Sequence, residues 1–185
     1  MFDRLPVVFV PRPLVPGARM AVRAEGGAGE GGLVLAAFGE SVRRGGVVTR
    51  ARIEGVEHAF GGQVIIGLTG VDLVLVVAEE ADGSLTVRAV DPPEADLDAT
   101  PETVGTALRR YMAVRAEAGR SGDVHITLSG DPVTASHQVA SNLEVSAPEV
   151  QDILEAGDAH ARLRRETGVL ERETALLRAV LGRTE

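Results

Sequence analysis

Cysteine and lysine are both missing from this chain of 185 residues, and each absence removes a class of chemistry. Without cysteine there are no disulfides, no thiolate nucleophile and no cysteine-ligated zinc. All 19 basic residues are arginine. That excludes the P-loop, whose lysine reaches the β- and γ-phosphates. It also excludes a Ser-Lys peptidase dyad, a Schiff-base mechanism and a kinase-type lysine. Aromatic residues are only 3% of the chain, and the net charge is −8. Nucleic acid is therefore a poor partner, because phosphate neutralisation needs a surplus of positive charge and base stacking needs aromatics. Apolar runs such as 73–78 are far too short to span a membrane. Prolines at 6, 11, 13 and 16 interrupt what would be a signal-peptide core. The reading predicts a soluble, cytoplasmic protein with no membrane partner.

The two halves of the chain differ. Of 26 valines, 17 precede Asp91, and β-branched residues suit a pleated, half-buried surface. Short apolar runs at 7–10, 33–38, 47–53, 63–68, 73–77 and 85–90 predict strands, punctuated by Pro16-Gly17, Gly61-Gly62 and Asp82-Gly83. No helical period connects consecutive runs, so a small, mostly antiparallel barrel or curled sheet is expected.

After Asp91 the signals are those of helices. Thr100-Pro101 reads as a cap with proline at the first helical position, followed by Val104, Leu108, Met112 and Arg115. Asp131-Pro132 repeats the device, with Val133, His137, Ala140 and Leu143 on one face. Ser146-Ala147-Pro148-Glu149 predicts a capping box, opening a long helical segment towards Gly182 in which Gly157 or Gly168 marks a bend or break. The expected organisation is a β-rich unit over 1–92, a linker over 93–99 and a helical unit over 100–185.

No catalytic constellation emerges. Residues 27–32 match G-x-G-x-x-G, but a strand pattern follows where a dinucleotide site needs a helix, and Glu30 would repel phosphate. His58, His125, His137 and His160 lack metal-ligand spacing, and no metal or other cofactor is expected. His137 reads as a partly buried side chain with a local partner. Glu79 and Glu80, adjacent on a strand, point to opposite faces and cannot form an acid–base dyad. No serine lies in a nucleophile elbow. Leu163, Leu170 and Leu177 recur every seven residues, but Glu166, Glu173 and Thr174 between them make a poor zipper and favour packing on the other helices. The proline-rich segment 10–16 cannot be regular strand throughout. It predicts a loop that either exposes Leu14 and Val15 as an interaction site or plugs one end of the barrel.

Leu5-Pro6-Val7-Val8-Phe9-Val10 followed by Pro16-Gly17 resembles the start of the Lon N-terminal domain family. The resemblance runs on through 32–38, 47–53 and the hairpin ending at Gly70. Its best block is Asp131-Pro132, Val139-Ala140-Ser141-Asn142-Leu143, Gln151-Asp152-Ile153-Leu154-Glu155-Ala156 and Arg162-Leu163, in the family's order and spacing. One departure stands out: where the family often carries an arginine after the hairpin, this chain has Val71-Asp72-Leu73.

The resemblance implies an α+β fold: a PUA-like β pseudo-barrel, then a helical bundle with a long last helix. It implies a non-enzymatic polypeptide-binding module, standing without the ATPase and peptidase domains of full-length Lon proteases. Such a module would capture apolar segments of unfolded or partly folded proteins. Leu14, Val15, Phe38 and Phe60 are the expected contacts, although Phe38 and Phe60 also have an ordinary core reading, the stronger one for Phe38. The alternative is an adaptor that dimerises, or docks on a protease or chaperone, through Leu170, Leu177 and Leu181. The expected state is a monomer or weak homodimer.

Overall fold

The computed structural model describes residues 2–24, 31–58, 64–90, 99–119 and 126–182. It contains seven strands: β1 (Phe2–Leu5), β2 (Val7–Val10), β3 (Arg19–Ala24), β4 (Leu33–Phe38), β5 (Val47–His58), β6 (Val64–Glu79) and β7 (Leu85–Ala89). Four helices follow: α1 (Pro101–Glu117), α2 (Pro132–Asn142), α3 (Ala147–Leu154) and α4 (Ala159–Leu181). The chain forms two compact units, one of residues 1–91 with 145–155, the other of residues 92–144 with 156–185. The sequence groups 145–155 with the helices. In the structure it belongs to the strand unit, because Gln151 Nε2 donates to the Val47 carbonyl at 3.0 Å and Arg43 pairs with Glu155. The expected linker lies almost wholly outside the described residues.

In the strand unit the sheet order is β1-β7-β6-β5-β4-β2, with β3 paired to the first half of β6. The two ends of this path, β1 and β2, are consecutive in the chain with only Pro6 between them. The sheet must therefore curl until its edges meet. Pro6, lacking a donor, sits at the seam, and its carbonyl accepts the Leu35 N–H at 2.8 Å. Pairing is antiparallel throughout except between β2 and β4, which are parallel. Alternation along β4 sends Val34 and Ala36 into one apolar cluster with Ile53, Ile66 and Leu68, and Leu35 and Ala37 into a second with Val74, Val76 and Val87. β6 spans both: its first half feeds the first cluster and its second half the other. The sequence splits this strand in two because Thr69, Gly70 and Asp72 interrupt its apolar pattern.

Gly70 has a specific reason to be glycine. A Cβ there would stand 2.5 Å from the Val15 carbonyl oxygen. Pro16-Gly17 makes the tight turn legible in the sequence: Gly17 has φ +83°, and Ala18 N–H donates to Val15 O at 2.9 Å. Gly17 N–H then donates to Gly70 O, and Gly70 N–H to Ala18 O, a glycine bulge that launches β3 along β6.

In the helical unit, α4 packs on α1 and α2. Two predicted caps form: Thr100 Oγ1 accepts the Thr103 N–H, and the Asp131 carboxylate accepts the Thr134 N–H. The buried stripe of α1 is Val104, Leu108, Tyr111 and Arg115, with Tyr111 taking the place expected for Met112. The buried face of α2 is Ala135, Ser136, Val139 and Ala140, which leaves His137 half-buried on the flank. The predicted capping box does not form, since Ser146 makes no side-chain cap bond. The long helical segment breaks at 155–158. Asp158 caps α4 by accepting the Ala161 N–H at 2.8 Å, and Gly168 lies within unbroken helix.

Candidate polypeptide-binding surface

Leu14 and Val15, two of the expected contacts, are only 2% and 5% exposed. The proline-rich loop is thus the plug, and these side chains do not form a surface in this arrangement. Pro13 and Pro16 are buried beside them. The loop's polar groups are still satisfied, because the buried Thr49 hydroxyl donates to the Leu14 carbonyl. Burial of Leu14 in the first cluster contributes about 2 kcal/mol or more. Phe60 lies outside the described residues. On α4, Leu170 and Leu177 are buried and Leu181 half-buried, so the first two serve the bundle rather than a free docking stripe. The exposed apolar residues of that helix are Leu176 and Val180, one turn apart on the other side.

Among the described residues, Phe38 is a predicted contact that meets a concave surface. It lines a cleft of about 170 Å³ in the strand unit with Ala37, Val42 and Val48, while Arg43, Gln151 and Glu155 form its polar side. Gln151 holds α3 over the start of β5, and also donates to Glu155 Oε1 at 3.1 Å. This gives the Gln151–Glu155 stretch its role: it closes one wall of the cleft. Phe9 is opposite Ala37 in the parallel β2–β4 register and is 47% exposed. The sequence marks Phe38 but gives no sign of Phe9, which reads as one more apolar residue in a strand of four.

Charge on this unit is organised by Arg50, which reaches Asp72 on β6 and Asp3 on β1. The Asp72 carboxylate holds the Arg50 guanidinium charged more firmly than usual. Asp72 falls in the segment where the family resemblance leads one to expect an arginine, so the pairing here runs from β5 to β6. Arg4 similarly pairs with Asp82 at 2.6 Å and, with Ser84, holds that carboxyl below the usual carboxylate range. No cluster of three or more potential metal ligands occurs among the described residues. Among those residues no helix is long and apolar enough to cross a membrane.

No protein-family model matches the sequence, and no curated protein does. Solved structures do. The N-terminal domain of the Mycobacterium avium complex Lon protease superposes with a TM-score of 0.61 at 22% identity, over 94% of this chain and 98% of that one. A Lon N-terminal domain protein from Xanthomonas campestris gives a TM-score of 0.53 at 15% identity, over 88% and 95%. The strand unit, the bundle and the long last helix are thus shared over nearly the full length of both, and this chain has the fold of the Lon N-terminal domain.

Proposed function

We propose that this chain is a non-catalytic module that captures apolar segments of unfolded or partly folded polypeptides. The observation that carries the reading is the placement of its scarce aromatics. Of four phenylalanines, Phe2 and Phe9 are 66% and 47% exposed on strands, Phe38 lines a cleft, and Phe9 pairs in register with Ala37, another residue of that lining. Leaving large apolar side chains in water costs stability, and such surfaces mark interaction sites. The likeness to Lon N-terminal domains supports the same reading, since in Lon proteases that region meets polypeptide substrates. Ordering a flexible segment offsets much of the burial, so affinity is about micromolar or weaker.

The test is an amide NMR titration with a permanently unfolded, apolar-rich polypeptide. Shifts should concentrate at Phe9, at 37–43 and at 151–155. Replacing Phe9 with serine should weaken binding roughly tenfold with thermal stability kept, because an exposed side chain contributes little to the core. Unchanged binding by Phe9→Ser, or shifts confined to Leu176 and Val180, would replace this reading with the adaptor one. Those two exposed residues on α4 are the observation that favours it.

A further inference from the structure

β3 pairs with β6 along one side, and no strand among the described residues pairs with its other side. The pairing of Ala18 with Gly70 sets the alternation. From it, Met20 and Val22 direct their backbone groups towards β6, while Arg19, Ala21 and Arg23 direct theirs outward. The same three residues carry the exposed side chains of the strand. Register continues their face across the sheet: Arg19, Thr69 and Arg52 form one row, and Ala21, Gly67 and Gly55 the next. The second row is nearly bare backbone. A concavity of about 350 Å³ lies there, lined by Arg19, Ala21, Gly67 and Thr69 with Glu54 on its far side from the β3 edge, and the buried Thr69 Oγ1 has no hydrogen-bond partner.

The face carries both signs of charge: three arginines, with the exposed Glu54 and Glu57 of β5 beyond them and Glu57 in the row of Arg23. Arg4, Arg43, Arg50, Arg115 and Arg172 all form ion pairs. Arg19, Arg23 and Arg52 form none among the described residues, and neither do Arg12, Arg44, Arg110 and Arg178; Arg19 and Arg23 differ from those four in flanking the open edge of β3. We infer that the β3 edge binds an extended acidic polypeptide segment as an added strand, with carboxylates four residues apart opposite Arg19 and Arg23. A small residue between them would face Ala21. The inference rests on the polypeptide-binding reading and gives it a second site with its own sequence preference.

Three arguments select this occupant. The outward N–H and C=O groups call for another peptide backbone, which nucleic acid does not offer. A second copy pairing antiparallel about Ala21 would set Arg19 against Arg23, a like-charge contact that disfavours self-association. Opposite-charge cross-strand pairs, in contrast, stabilise a sheet.

The test uses the whole chain and three labelled synthetic peptides of β-forming composition: one with Glu at positions i and i+4, one with Lys there, and the Glu peptide N-methylated at alternate residues. Fluorescence anisotropy should show the Glu peptide binding roughly tenfold or more tighter than the Lys peptide, and the N-methylated one not binding. The R19E/R23E double variant should reverse the charge preference. Ala21→Pro removes an outward N–H without touching the β6 ladder, so it should abolish binding with the thermal midpoint kept. Equal binding of Glu and Lys peptides, retained binding after N-methylation, or a dimer that Ala21→Pro dissolves would overturn the proposal. The unfolded, apolar-rich polypeptide is run beside these. If it binds through the Phe38 cleft while the charge preference is absent, this inference alone fails. If it does not bind either, the polypeptide-binding reading fails with it.

Discussion

Glu166 is fully buried in the helical unit, with the Ser136 hydroxyl and the Arg162 guanidinium as its polar neighbours. Arg162, one turn earlier, is also buried and donates from Nε to Ser136 Oγ at 3.0 Å. Burial pushes the Glu166 carboxyl well above its usual range, and the Arg162 charge offsets only part of that. Folded protein then holds this proton more tightly than unfolded protein does. The resulting stabilisation is complete below the ordinary carboxylate range and is lost as pH rises through the raised value. Thermal unfolding followed by circular dichroism should show the helical unit weakening from about pH 5 upward, by at most on the order of 1 kcal/mol per pH unit. Glu166→Gln, neutral throughout, should remove that slope; an identical slope in the variant would sink the assignment. In the sequence, Glu166 reads as a polar residue spoiling a heptad, since charged residues are rarely fully buried. The same gap hides Leu14 and Val15. Proline spacing shows that the chain after Val10 leaves the strand for a loop, but not that a hydroxyl on β5 would satisfy the Leu14 carbonyl and let the loop fold inward.

At the scale of elements, local signals are reliable where a single residue supplies both the geometry and the bond. Asp131 is an example: its carboxylate accepts from Thr134 N–H and Oγ1, which holds it below the usual range. Ser146 is the counterexample. It occupies the N-cap of α3, but its hydroxyl accepts nothing from the first turn, and its backbone carbonyl alone accepts the Glu149 and Val150 N–H groups. Asp131→Ala and Asp158→Ala should each destabilise the protein by about 1 kcal/mol, whereas Ser146→Ala should change little. Urea unfolding of the three variants checks this, and an equal loss at Ser146 would restore the capping box. The Asp131 contribution should also fade as pH falls through its depressed value, because the protonated side chain is a weaker acceptor. The two strands missing from the sequence reading, β1 and β3, are short, and Asp3, Arg4, Arg19 and Arg23 interrupt them. Edge positions tolerate such charges, so a pattern built on apolar runs passes over them.

For the molecule as a whole, the sequence conveys the β-then-α order but not which helix each unit needs. Sequence proximity places 145–155 among helices; long-range bonds place it in the strand unit. Gln151 reaches back 104 residues to Val47, and Glu155 reaches 112 to Arg43. Glu155 is only partly exposed while Arg43 is largely so, and an exposed pair contributes little. The Gln151 bond is therefore the stronger of these two ties between α3 and the strand unit. A fragment of residues 1–91 would hold every strand and close its sheet through Pro6, yet lack the helix that walls the Phe38 cleft. It should unfold at markedly lower urea than the intact chain. Its Phe38 region should bind the fluorescent dye ANS, which reports exposed apolar surface. Gln151→Ala in the intact chain should reproduce a milder form, by about 1 kcal/mol, with the sheet retained. If the fragment instead matches the intact strand unit in stability and dye binding, α3 is an accessory to the barrel, and the cleft owes its shape to the β4–β5 connection alone.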